Sequence, residues 1–177
     1  DQVISIYQTR EGKYWFGAMS GLASGMRTAF HKYNRSRGNL SNDSVNAFTE
    51  SIDGSLWVGT DDGLNRLRPD STEFEWINVS TKPSISDPRV MSLFSEERSL
   101  WVGTYDSGLN KVDLNTGQTT TYRSSTVRGS GLRANGITSI LRLSTGELLI
   151  GTYGGGLSIY NDETEEFISL VHDPKDS

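Results

Sequence analysis

Short apolar runs alternate with polar, glycine-bearing turns along the whole chain, and one run returns almost unchanged. Leu56-Trp57-Val58-Gly59-Thr60 recurs as Leu100-Trp101-Val102-Gly103-Thr104, with looser copies at Tyr14-Trp15-Phe16-Gly17 and Leu148-Leu149-Ile150-Gly151-Thr152. The shared glycines are spaced by 42, 44 and 48 residues. A period in the forties, made of short strands and turns with no helical periodicity, predicts an array of blades. A single repeat of this size cannot bury its own apolar faces, so the copies must stack.

The repeat that starts at Val45 shows the design. Val45-Asn46-Ala47-Phe48 reads as a first strand, and Asp53-Gly54 is a hairpin signal. Leu56 to Thr60 follows as the second strand, and Asp61-Asp62-Gly63 turns the chain into Leu64-Asn65-Arg66-Leu67. Pro69-Asp70-Ser71-Thr72 turns it again into Phe74-Glu75-Trp76-Ile77. Four antiparallel strands joined by hairpins make one propeller blade. The other copies keep this order, which predicts an all-β chain of four blades at about residues 1–36, 43–79, 88–124 and 135–171. Only the turn at Glu97-Arg98 lacks a glycine, so its geometry should differ.

Side chains alternate across a strand, so Trp57 faces one side while Leu56 and Val58 face the other. A sheet apolar on both faces must be covered on both, and neighbouring blades are the covers. Gly17, Gly59, Gly103 and Gly151 stand two positions after the large residue, on its face, as if leaving room for a neighbour's ring. Small residues at the third position of the first strand (Ser5, Ala47, Ser92 and Ser139) suit the innermost strand, where blades converge. Closure removes exposed ends. Four blades are therefore expected either to form a tight ring or to self-associate, for example as two arcs completing an eight-bladed ring.

Composition narrows the partners. A chain of 177 residues suits one domain, and a net charge of −5 argues against a nucleic-acid surface, which needs a basic face. With no cysteine there is no disulfide framework or thiolate metal site. No stretch reaches the roughly 18 consecutive apolar residues of a membrane helix, so any membrane contact is expected through segments outside this chain.

Candidate chemistry gathers at the turn between second and third strands. Asp61-Asp62, Tyr105-Asp106 and Tyr153-Gly154 occupy that turn in consecutive blades, where they would rim one face around the central channel. Carboxylates and phenols there, with Arg89 at the end of a neighbouring connector, suit a polar small molecule. Aspartate and glycine are also simply turn formers, which accounts for the aspartates but not for Tyr105 and Tyr153. The long connector from Tyr122 to Asn135 carries Arg123, Arg128 and Arg133 and could meet an anion, although such loops are commonly just solvated. His31 and His172 lack fixed-offset partners and read as solvated edge residues, so neither a metal nor a cofactor is expected. Gly154-Gly155-Gly156 precedes no helix and is no phosphate cradle. No nucleophile–base set is visible, though Asp61 and Asp106 could meet across a channel at the separation a glycosidase or lyase uses.

The residues Val45 to Leu67 and Val90 to Val112, with Gly63-Leu64-Asn65-Arg66, Gly108-Leu109-Asn110-Lys111 and the connector Leu40-Ser41-Asn42-Asp43-Ser44-Val45, resemble the two-component regulator propeller repeat family. The outer copies depart from its pattern, with Ala18 in place of the usual threonine and Leu149 in place of the usual tryptophan. The resemblance implies a non-catalytic sensor on the periplasmic or extracellular side of a bacterial inner-membrane receptor. The implied output is a histidine kinase or a GGDEF diguanylate cyclase, and the implied ligand class includes oligosaccharides. It also implies a parent with more than four blades, of which the chain is a segment. The competing readings are a carbohydrate-active propeller enzyme and a protein-interaction scaffold.

Overall fold

The computed structural model describes residues 2–26, 29–126 and 131–170. The first blade comprises β1 (Val3–Gln8), β2 (Tyr14–Ala18), β3 (Gly21–Met26) and β4 (Ala29–Tyr33). The second holds β5 (Val45–Glu50), β6 (Leu56–Thr60), β7 (Gly63–Leu67) and β8 (Phe74–Ile77). The third holds β9 (Val90–Ser95), β10 (Ser99–Thr104), β11 (Leu109–Asp113) and β12 (Thr119–Tyr122). The fourth holds β13 (Ile137–Arg142), β14 (Leu148–Thr152), β15 (Gly156–Asn161) and β16 (Glu166–Leu170). Each blade is an antiparallel sheet in sequence order, and the only helical element among the described residues is a 3-10 turn at Arg35–Arg37. The all-β propeller architecture read from the repeats is the one observed.

Local chemistry sets the hairpins. The first turn of the first, second and fourth blades closes over five residues, as in Ser51 N–H to Ser55 O at 3.0 Å, with a left-handed glycine inside it. The third blade has no glycine there, and its turn is one residue shorter, closed by Glu96 N–H to Ser99 O at 2.8 Å.

Stacking is directional. Trp15 packs against Leu56 and Val58 of the second blade, and Trp57 against Leu100 and Val102 of the third. Trp101 packs against Leu148 and Ile150 of the fourth. The first three blades therefore offer a tryptophan face forward, and the last three a Leu/Val or Leu/Ile face backward. Connector residues Leu40, Ile85 and Leu132 plug the three seams and are fully or almost fully buried.

The structure explains the motif that follows the second strand. In Leu64-Asn65-Arg66 the leucine fills the seam and the arginine lies over the Trp57 ring at 5.0 Å. The buried asparagine clamps the preceding connector: its Oδ1 accepts from Ser41 N–H at 2.9 Å, and its Nδ2 donates to Ser41 Oγ. Asn110 holds Ser86 in the same way, and Lys111 lies 4.9 Å from the Trp101 ring centre. Beside Arg66, burial alone would raise the Asp53 carboxyl. Hydrogen bonds from Ser51 Oγ and Ser55, with the adjacent guanidinium, outweigh this and hold it at about 2.

One expectation is corrected, and one of two alternatives is found. The second-strand glycines make room for the β-branched first residue of the next inner strand rather than for a ring. A Cβ on Gly59 would sit 2.5 Å from Val90 Cγ1, and one on Gly103 would sit 2.6 Å from Ile137 Cγ2. The four blades also form an open arc and not a tight ring, since no core cluster among the described residues joins the fourth blade to the first. The faces meet along their whole breadth, from Gly17 and Val45 at the inner edge to Tyr33 and Phe74 at the outer, whose rings lie 5.6 Å apart. Ile6, Tyr14 and Phe30 at one end, and Leu141, Ile168 and Leu170 at the other, remain exposed.

Candidate functional site

The turns between second and third strands are tied down on three sides. The threonine ending the second strand folds back, with Thr60 Oγ1 donating to Gly63 O at 2.8 Å, Thr104 Oγ1 to Gly108 O at 2.7 Å and Thr152 Oγ1 to Gly156 O at 2.9 Å. The connector before each turn accepts from it, as Tyr105 N–H donates to Arg89 O and Tyr153 N–H to Gly136 O. The connector after it does the same, as Gly63 N–H donates to Pro88 O and Gly108 N–H to Asn135 O. Side chains on these turns therefore stand on a rigid rim, which suits a binding site.

Between the third and fourth blades the rim encloses a groove of about 320 Å³. It is lined by Tyr105 and Asp106 from one turn, Tyr153 from the next, Met91 and Thr138 from the inner strands, and the connector from Ala134 to Ile137. Gly136 is required here: a Cβ would lie 2.9 Å from Tyr105 O and 3.2 Å from the Tyr153 Cβ. The absence of that carbon lets both tyrosine turns converge on one connector. The Arg89 guanidinium stacks 3.8 Å from the centre of the Tyr105 ring. Tyr153 is 83 % exposed, so its ring face is open to a ligand.

The residues singled out from sequence thus divide. Arg89, Tyr105, Asp106 and Tyr153 come together at or beside the groove. Asp61 and Asp62 share the rim but do not line it, and their side chains are engaged. Asp61 accepts from Asn46 Nδ2 at 2.9 Å, and Asp62 pairs with Arg35 at 3.3 Å. Exposed Arg123 and Arg133 lie on the adjacent connector, where the Arg133 Cβ abuts Gly155, while Arg128 lies outside the described residues. His31 is an exposed residue of β4, and His172 lies outside the described residues. Among the described residues no group of three His, Cys, Asp or Glu side chains could hold a metal ion.

Sequence reasoning singled out the Tyr122 to Asn135 connector for its arginines, but missed Met91, Thr138 and Gly136. Each inner strand carries a β-bulge against its neighbour at its second residue, which the register gaps at Val3/Ser5, Val45/Ala47 and Ile137/Ser139 mark; in β9 the gap falls opposite Gly103/Thr104. The signal was present in the sequence, since Ile4, Asn46, Met91 and Thr138 vary between near-constant flanking residues. A bulge is not visible from alternation alone.

The geometry defines a propeller-type blade array with a built groove at one inter-blade seam. Residues 39–62, from the first seam's connector through the second strand of the next blade, match the family model of the two-component regulator propeller. That segment carries a repeat of the family. It is 36 % identical over 138 residues to histidine kinase P4 of Formosa agariphila, a match that covers 77 % of this chain and 10 % of that protein. Among solved structures, it superposes with a TM-score of 0.81 and 27 % identity on the extracellular domain assigned to a hybrid two-component system of B. thetaiotaomicron. That match covers 96 % of this chain and 24 % of the other. Virginiamycin B lyase from Staphylococcus aureus shares the fold at 14 % identity and a TM-score of 0.72, over 97 % of this chain and 56 % of its own. The chain thus spans a small part of the two-component relatives it matches.

Proposed function

We propose that the chain is part of the extracellular or periplasmic sensor region of a bacterial two-component receptor with a histidine kinase output. It binds a small polar ligand in the groove between its third and fourth blades. The observation that carries this reading is the convergence of Tyr105, Tyr153, Asp106 and Arg89 on one rigid rim. Aromatic faces beside hydroxyl and carboxylate groups suit a sugar, whose C–H face stacks while its hydroxyls donate and accept. An oligosaccharide is therefore the ligand class of first choice. Occupancy would bias the seam between two blades and pass to the output as a population shift.

Thermal melting against a panel of neutral and acidic oligosaccharides tests the reading. A binding member raises the midpoint according to RT ln(1 + [L]/Kd), with no new sugar ends and no unsaturated products released. A panel that shifts nothing, or a member that is cleaved, contradicts the sensory assignment.

We also propose that the two open faces seat further blades, those of a second copy when the chain is alone. The backward face of the first blade, with Tyr14 and Phe16 in place of the usual leucine and valine, and the forward face of the fourth, with Leu149 in place of the usual tryptophan, are apolar and expose Ile6, Phe30, Leu141 and Ile168. Sedimentation velocity should show association that grows with concentration. A single-copy species throughout would contradict it.

A further inference from the structure

The three first residues of each inner strand have different duties. The first residue, Val45, Val90 or Ile137, fills the space over the preceding blade's glycine. The third lies beside its own blade's glycine, where Ser5 Oγ donates to Val45 O and Ser92 Oγ to Ile137 O, both at 3.3 Å. Both positions are thereby committed to holding blades together. The second residue is set off by the bulge, which re-aims its side chain away from the glycine contacts of its two neighbours. It is the position whose chemistry changes most, from Ile4 to Asn46, Met91 and Thr138.

What this residue carries differs from seam to seam. In the second blade Asn46 Nδ2 donates to Asp61 Oδ1 at 2.9 Å and to Val90 O at 3.0 Å, so the side chain ties the rim to the next blade. At the third and fourth blades Met91 and Thr138 line the groove together, one a soft apolar surface and the other a hydroxyl.

We infer that the bulged residue of the inner strand is the ligand-selecting position of this propeller, and that Met91 and Thr138 determine which ligand the tyrosine groove prefers. This rests on the groove reading above: the tyrosines supply stacking common to many ligands, and the bulge pair discriminates among them. A thioether favours a ligand with an unsubstituted apolar face, and the threonine hydroxyl favours one with a hydrogen-bonding group at the same depth. Specificity can then change without emptying the stack, because neither Met91 nor Thr138 belongs to a seam core cluster.

The experiment uses calorimetry with neutral glucan, neutral xylan and uronic-acid-containing hexasaccharides. Met91→Gln and Thr138→Val should each change the affinity ratio between the best and second-best hexasaccharide by about tenfold. Ser92→Ala, beside Met91 on the same strand but committed to the seam, should leave the ratio unchanged. A readout on the unmutated chain comes from its three methionines. With methyl-labelled methionine, the Met91 resonance should move on saturation while that of Met19 stays in place. Unchanged ratios in both variants, or a still Met91 resonance, overturn the inference while leaving the groove intact. Unaltered binding in a Tyr105→Ala/Tyr153→Ala variant, or failure of every hexasaccharide to bind, overturns the groove reading and the inference together.

Discussion

Trp101→Ala should lower folding stability by about 3–5 kcal/mol, the range for deleting a fully buried large aromatic, and shift the urea midpoint accordingly. Trp101 is 0 % exposed and sits at the centre of the third seam against Leu148, Ile150 and Tyr160. Its indole N–H donates to Glu96 Oε2 at 3.0 Å, and the same carboxylate pairs with Arg142 of the next blade. Removing the ring opens a cavity, and it leaves Glu96 without one of its donors. Since domains of this kind are stable by only about 5–15 kcal/mol, the fourth blade should separate cooperatively from the third. Trp15→Ala should cost about 1 kcal/mol less, the net worth of one hydrogen bond, because the Trp15 indole nitrogen has no partner. An unshifted midpoint for Trp101→Ala would remove the stacking account.

The second large effect concerns binding. Tyr105→Ala combined with Tyr153→Ala should weaken the best ligand by about a hundredfold, since each stacked aromatic ring contributes about 0.5–1.5 kcal/mol on top of the apolar area it buries. The melting temperature of the free chain should stay nearly constant, because both rings are largely exposed and neither belongs to a seam cluster. Calorimetry on the same panel separates the two readouts. Equal loss of stability and binding would mean that the tyrosines hold the rim and do not meet the ligand.

Much of this architecture was legible because stacking imposes a period. Trp57 and Trp101, with their flanking leucine and valine, announced two faces that each needed a cover, and the structure covers them with consecutive blades. Tyr105 and Tyr153 were conspicuous as aromatics in turns where aspartate or glycine would suffice. What escaped was whatever depends on distance between seams. The clamp of Asn65 on Ser41 joins residues 24 apart and looks like an ordinary polar alternation in the sequence. The engagement of Asp61 by Asn46, and of Asp62 by Arg35, could not be seen without coordinates, and so the aspartates looked as available as Asp106. Openness of the arc was equally hidden, since it depends on how flatly two faces meet and not on which residues they contain.

Protection of backbone amides against hydrogen exchange tests the central claim most directly: the repeats survive by covering one another, and the two outermost faces have no cover. At a dilution where the chain sediments as one copy, β6 and β10, buried on both sides, should exchange only through global opening. Amides of β1 and β16 should exchange through far cheaper local openings, because their blades lean on a neighbour from one side alone. Equal protection across all four blades would contradict the open stack and restore a closed ring.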